Sequence, residues 1–318
     1  MTQHFIKEIT IKKFKCFNDF NASGFKQINL IGGQNNIGKT AFMEACYINV
    51  CAWDIKSFAT ALMDIKWMRE SLNLLNIIED NLYFSKFVEQ QNGILIQSNI
   101  HNIQYQIKEE QGIKEYLFEI NNNKNQINIK QFSFEIKRIN NIIFIDNFGF
   151  SNDNILNIYA ALQRKDKEDY LNKILNQFNS NIESFKIISD TPLCKINNEY
   201  LELTELGDGA RHLISIIISI FACENGTLFI DEIGNGIHYT KLDELWKVIF
   251  KVSKELNVQI FTTTHSKECI EAFNREQQEN SCYFELAQNS KTKKIFMRDL
   301  DAIQLQYELT HQGSYRGE

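Results

Sequence analysis

The chain has 318 residues, a net charge of −6, and 43% apolar, 12% aromatic and 23% charged residues. This composition supports one large or two modest globular domains with a substantial core, and argues against a surface that grips nucleic acid all over. A single proline, Pro192, argues against proline-rich linkers.

In chain order, "HFIKEITIKKFKCFNDF" from His4 alternates apolar and polar residues, which predicts a half-buried strand followed by a turn. "FKQINLIGG" is a shorter, more buried strand, and "KTAFMEACYINVCAWDIKSF" from Lys39 predicts a helix. Helical character continues over residues 54–92. Residues 93–138 switch to period two with Asn and Gly at the turns, the pattern of an antiparallel meander. "NNIIFIDNFG" predicts a buried strand, residues 153–186 helix, and residues 196–232 a strand, a glycine turn, a buried helix and a buried strand. "HYTKLDELWKVIFKVSKELN" is an amphipathic helix, with Thr240 as its expected N-cap and Asp243 in its first turn. "VQIFTTTHS" is a strand with a polar tip, and the chain after Asn280 reads as a hairpin and a polar tail.

Seven cysteines with no C-x-x-C pair read as buried free thiols in a reducing compartment. The N-terminus has no signal-peptide pattern. The longest apolar run, Leu213–Cys223, is too short to span a bilayer. The expected location is the cytoplasm.

The chemistry concentrates in four places. Gly33-Gln34-Asn35-Asn36-Ile37-Gly38-Lys39-Thr40 fits G-x-x-x-x-G-K-[ST] between a strand and a helix. Glycines there let backbone N–H groups curl toward phosphate oxygens, and the helix start adds its positive dipole end. Gly33, Asn35, Asn36, Gly38, Lys39, Thr40 and Ala41 form the expected cradle. Lys39 reaches the outer phosphates and Thr40 offers its hydroxyl to Mg²⁺. "GTLFIDE" ends a buried strand in two acids: Asp231 to hold the metal through water, Glu232 to orient and deprotonate an attacking water. Gly207, Asp208, Gly209 and Arg211 open the most apolar helix, a second anion site that serves the nucleotide of another subunit. His265, at the tip of the strand one helix after the acids, suits a γ-phosphate sensor. "TKLD" at Thr240–Asp243 imitates a guanine-reading element but opens a helix, which favours ATP over GTP.

In order and spacing, this set resembles the ABC-type ATPase heads of RecF, of structural-maintenance-of-chromosomes (SMC) proteins and, most closely, of the overcoming-lysogenization-defect (OLD) group, within the broader AAA-type P-loop ATPases. "ITIKKFKCFNDF" is similar to their opening strand and "LIGGQNNIGKT" to their Walker A loop. "LGDGARHL" is similar to their signature loop, "LFIDE" to Walker B and "TTTHS" to the switch histidine. The resemblance implies an α/β P-loop fold with a mostly parallel core sheet, an antiparallel β subdomain and a helical insertion. Residues 1–318 would be one ATPase domain. Its nucleotide-binding core would be 1–50 and 195–280, its insertion 51–194, and its C-terminal hairpin and tail 281–318. It also implies two heads sandwiching two ATP·Mg²⁺ head to tail, with roles for Lys39, Thr40, Gly207, Gly209, Asp231, Glu232 and His265, and adenine contacts near Phe14–Phe17.

Three features depart from the family pattern. Gly234 stands where relatives often carry an acid, so a looser loop is expected there. There are no long coiled-coil arms. The chain continues only about fifty residues past His265, which leaves no room for the Toprim nuclease of full-length OLD proteins. A separate effector such as a nuclease is therefore the expected partner, in bacterial anti-phage defence or DNA repair. Two other readings fit the motifs: the energy subunit of a membrane transporter, and a nucleotide-held scaffold with negligible turnover. DNA contact would fall to Lys7, Lys12, Lys13 and Lys15, which also fit a solvated strand edge.

Overall fold

The computed structural model describes residues 4–70, 93–110, 113–127, 141–147 and 149–311. The predicted helix beyond residue 70 and the part of the meander at 128–138 lie outside them. By internal packing the chain divides into two units.

The first unit comprises Met1–Phe25, Asn36–Ile142 and Leu286–Arg298. Its strands β1 (Glu8–Phe14), β2 (Phe17–Ser23), β4 (Ile94–Ser98), β5 (Asn102–Glu110), β6 (Ile113–Ile120) and β7 (Asn123–Ile127) form one antiparallel sheet of order β2-β1-β4-β5-β6-β7. Ile11 pairs with Phe20 on one side and Ile96 on the other. The period-two pattern thus puts Ile9, Ile11, Phe20, Ile96, Ile103, Tyr105 and Phe118 into a buried layer. Helices α1 (Lys39–Cys51) and α2 (Ile55–Glu70) complete it, with Phe58 edge-on to Phe118 at 5.3 Å and Phe42 edge-on to Phe20 at 5.9 Å.

The single helix expected from Lys39 is in fact two. α1 stops at Cys51, and Asp54 Oδ1 accepts from Ser57 N at 2.8 Å, capping the start of α2.

The second unit comprises Lys26–Asn35, Ile143–Glu285 and Asp299–Glu318. The second six-stranded sheet has the order β15-β14-β3-β13-β12-β8, built from β3 (Ile28–Gly32), β8 (Ile142–Ile145), β12 (Thr227–Ile230), β13 (Gln259–Thr263), β14 (Ser281–Gln288) and β15 (Ile295–Leu300). β14, β3, β13 and β12 run parallel. Three of them, β3, β13 and β12, are buried at every position, as strands covered on both faces must be. The expected C-terminal hairpin is present, and its first strand extends this core sheet beside β3.

Around the sheet lie α3 (Asn152–Gln163), α4 (Glu168–Phe178), α5 (Asp208–Ala222), α6 (Leu242–Glu255), α7 (Lys267–Glu276) and α8 (Ala302–His311). α5 is the buried apolar helix, from Leu213 through Phe221. α6 buries Leu242, Leu245, Trp246, Ile249 and Phe250 at helical spacing, and Trp246 Nε1 donates to Cys269 O of α7 at 3.2 Å. Thr240 is not its N-cap: it lies within a 3₁₀ turn, Tyr239–Lys241, capped by His238, and α6 begins after Lys241. Asp243 does sit in the first turn of α6.

The expected helix over 153–186 gives way at Ile182 to a three-stranded antiparallel sheet of β9 (Ile182–Ile188), β10 (Thr191–Ile196) and β11 (Glu199–Glu202). Its two hairpins turn on residue pairs that both have positive φ, Ser189-Asp190 and Asn197-Asn198, the geometry of a two-residue type I′ turn.

Six cysteines are buried; Cys16 is exposed, against expectation, because the β1–β2 turn carries it. Among the described residues no helix is long and apolar enough to cross a membrane.

Candidate functional site

The glycine loop joins β3 to α1, and the chain passes from the second unit into the first within it. Gly33 (φ 134°), Asn36 (φ 60°) and Gly38 (φ 107°) take left-handed backbone conformations, which curl the loop and turn successive N–H groups inward. Gly38 is the N-cap of α1 and supplies no side-chain bond to the helix's first amides. It is glycine for a second reason: a Cβ there would stand 2.6 Å from Cys16 Sγ of the β1–β2 turn. That turn is held to α1 by a part-buried ion pair between Lys15 and Glu44. At the other end of the loop, a Cβ on Gly32 would fall 2.0 Å from the Tyr283 hydroxyl of β14. Lys39 and Ala41 are buried, Gly33 and Thr40 half-buried, Asn35 and Asn36 exposed.

The acid pair follows β12. Asp231 N donates to Ile145 O of β8 at 2.8 Å. Thr263, fully buried at the end of β13, donates its hydroxyl to Asp231 Oδ1 at 2.5 Å and accepts from Glu232 N at 2.9 Å. Glu232 itself has φ 54°, a left-handed conformation that costs a non-glycine residue roughly 1–2 kcal/mol and persists only where neighbours hold it. Its carboxylate meets His265: Oε2 lies 2.8 Å from the ring Nδ1 and accepts from the His265 backbone N at 3.1 Å. The ring is about half exposed, and Glu232 is more buried. A histidine that donates Nδ1–H to Glu232 can also donate from Nε2 to a phosphate as imidazolium, so one ring can join the base to a phosphoryl oxygen.

The loop after the acids is braced, not loose. Ile233 N donates to Thr263 O at 3.0 Å, Asn235 N to Glu232 O at 2.9 Å and Asn235 Nδ2 to Asn147 O at 2.5 Å. A Cβ on Gly234 would meet Cys269 Sγ at 3.4 Å, so the space left by the missing acid is filled.

The second glycine loop opens α5. Gly207 (φ 83°) is its N-cap, again without a side-chain cap, and the space beside its Cα is open. Asp208 begins the helix. Gly209 rests against the loop after the acids, where a Cβ would lie 2.0 Å from Gly236 O. Arg211 is turned into its own chain: Nη1 donates to Phe150 O at 3.1 Å and Asn152 Oδ1 at 3.0 Å. With Arg211 so engaged, the loop's backbone amides are the groups that an anion there would meet. Of the four N-terminal lysines, Lys15 is committed to Glu44 and Lys12 stands 3.9 Å from Asp19, which favours the solvated strand edge.

The residues present suit a nucleotide with magnesium. Thr40 in the first unit and Asp231 in the second each carry a hard oxygen donor of the kind magnesium takes on a nucleotide. Thr263, which braces both acids, was not singled out from sequence. Its only signal there is a threonine run closing an apolar strand.

These features define a P-loop NTPase fold. Residues 54–270, more than half of the chain, match the AAA ATPase domain family, and the chain belongs to it: it is a P-loop ATPase. A Helicobacter pylori protein named ATP/GTP phosphatase is 26% identical over 323 residues, spanning 84% of this chain and 86% of that one. An SMC head solved with the C-winged helix domain of ScpA superposes with a TM-score of 0.57 at 10% identity, over 94% of this chain and 99% of that one. The SMC head of Thermotoga maritima gives 0.48 at 13% identity, over 93% and 99%. The fold is that of SMC-type heads.

Proposed function

We propose that this ATPase closes head to tail as a homodimer on two ATP·Mg²⁺, and that closure gates a separate effector protein. The observation that carries the reading is the second glycine-opened helix. α5, like α1, begins at an uncapped glycine, yet the chain has one Walker A sequence to cradle phosphates. A second amide-lined helix start is accounted for by the γ-phosphate on a partner's nucleotide. In this reading Lys39 neutralises the outer phosphates, with the backbone of Gly33, Asn35, Asn36, Gly38 and Ala41 around them. Thr40 and Asp231 would hold the metal, which would offset charge on the phosphoryl group. Glu232 takes the proton of the attacking water, and His265 steadies Glu232 and the phosphoryl oxygen.

The named activity of the Helicobacter pylori relative supports turnover of nucleoside triphosphates and makes GTP the competing substrate to assay beside ATP. The SMC head solved with a ScpA domain supports a partner protein docked on such a head. The free thiols support a reducing, cytoplasmic setting. An anti-phage or DNA-repair module with a nuclease effector is the role most in keeping with an OLD-like set of motifs.

Mixing two dead variants tests the dimer. Lys39→Ala removes one chain's phosphate lysine, and Gly207→Asp puts a repelling charge in the open space at the second loop. If each site takes one loop from each chain, half the dimers in an equal mixture carry one intact site, and turnover recovers to about one quarter of wild type. No recovery from two folded variants would exclude the shared site.

A further inference from the structure

The first turn of α5 is tied on two sides. On one, Phe150 N donates to Ser215 Oγ at 3.2 Å, Ser215 Oγ donates to Arg211 O at 2.8 Å, and Arg211 reaches Phe150 and Asn152. On the other, the Cα of Gly209 lies against Gly236 O, in the loop that follows Glu232. Asn235 closes the circuit through Asn147.

His212 sits in the middle of this lock. It is 2% exposed, and a Cβ on Gly149 would stand 3.5 Å from both its Cα and its Nδ1. Its ring faces the peptide groups of Glu232 and Ile233, yet among the described residues neither ring nitrogen completes a hydrogen bond of normal geometry. Burial pushes its pKa down to about 4, so the ring is neutral at neutral pH, with one N–H donor and one acceptor. A buried polar group left unpaired is destabilising. That cost disappears in any arrangement of α5 in which the ring reaches the Glu232–Ile233 peptide.

We propose that His212 is a positioning residue that couples the glycine loop at the head of α5 to the left-handed backbone at Glu232. An anion held at Gly207–Gly209 selects the arrangement in which the imidazole completes its bond to the 232–233 peptide, and the carboxylate is then aimed for water. Thr263 holds Glu232 from β13, and His212 holds it from α5. The inference rests on Glu232 being the hydrolytic base.

The test uses His212→Phe, which keeps a ring but cannot hydrogen-bond, and His212→Asn and His212→Gln, whose amides stand near the Nδ1 and Nε2 positions. ATP turnover, KM, and amide hydrogen exchange over 231–237 are measured, with Glu232→Gln as control. Coupling predicts a kcat lower by about tenfold in the Phe variant, KM within about twofold, faster exchange over 231–237, and recovery by one of the two amides. A Phe variant within twofold of wild type in kcat and unchanged in exchange overturns it. If the Phe variant does not fold, the amide pair decides: coupling requires one of them to fall about tenfold, and both within twofold overturns it. If wild type and Glu232→Gln both sit at background turnover, the hydrolytic reading has failed instead. Exchange over 231–237 then decides the coupling alone: faster exchange in the variants supports it, and unchanged exchange overturns it.

Discussion

Replacing Thr263 with valine removes one hydroxyl and nothing else of note in shape. That hydroxyl is fully buried, donates to Asp231 Oδ1 and accepts from Glu232 N. A hydrogen bond to a charged group contributes about 1.5–3 kcal/mol, and leaving a buried amide without its acceptor costs about 1–3 kcal/mol. The variant should therefore lose about 2.5–6 kcal/mol in urea unfolding. The effect on rate should be larger than a uniform loosening would give, because Glu232 holds φ 54° against its own preference and loses the bond that braces its amide. If about 2–3 kcal/mol of that bracing aims the carboxylate, kcat falls by about a hundredfold at roughly 1.4 kcal/mol per factor of ten. Thr263→Ser keeps the hydroxyl. It should retain turnover within a fewfold and lose only about 1 kcal/mol for the missing methyl. The reasoning is refuted if valine and serine turn over ATP at rates within twofold of each other, or if valine leaves stability essentially unchanged.

Two further outcomes are expected. Gly38→Ala should weaken nucleotide binding in a fluorescent-ATP titration by about tenfold or more, since its methyl meets Cys16 Sγ and its φ is 107°. Adding Cys16→Ala should restore only part of that, because it clears the clash and leaves the dihedral. Full restoration would show that the backbone conformation does not matter. For His212, the folded state binds fewer protons than the unfolded state between the folded pKa of about 4 and the ordinary value of 6.5. Its contribution to stability is therefore present above pH 6.5 and is lost as pH falls toward 4, by about 3 kcal/mol in total. Wild type should show that excess slope over His212→Phe in denaturant midpoints, and parallel curves for the two would contradict it.

Much of the candidate site was legible in sequence because its pieces are local patterns. The run from Gly33 to Thr40 is contiguous, and its glycines mark positions that only left-handed backbone can fill. The acid pair and His265 could be placed because each ends a continuous apolar strand, the mark of a parallel sheet buried on both faces. The meander was legible through its period of two and through Asn121-Asn122, whose positive φ values form a type I′ turn. Strands β9 and β10 were not, because the turn between them is Ser189-Asp190, a weaker signal than Asn-Gly, and the helical pattern before it runs on without a break. The stop at Cys51 was missed because the apolar pattern crosses it, and only Asp54 marks the restart.

By itself, then, the chain determined the local structures that depend on neighbours in sequence: a curled glycine loop, two acids at a strand end and a helix opened by glycine. Tertiary structure alone decided which groups hold those pieces in place. That Thr263 bridges Asp231 and Glu232, that Arg211 faces inward, and that His212 lies behind the Glu232 peptide each depend on residues tens of positions apart. A side chain's partner across a fold is set by packing and burial, and no local periodicity records it.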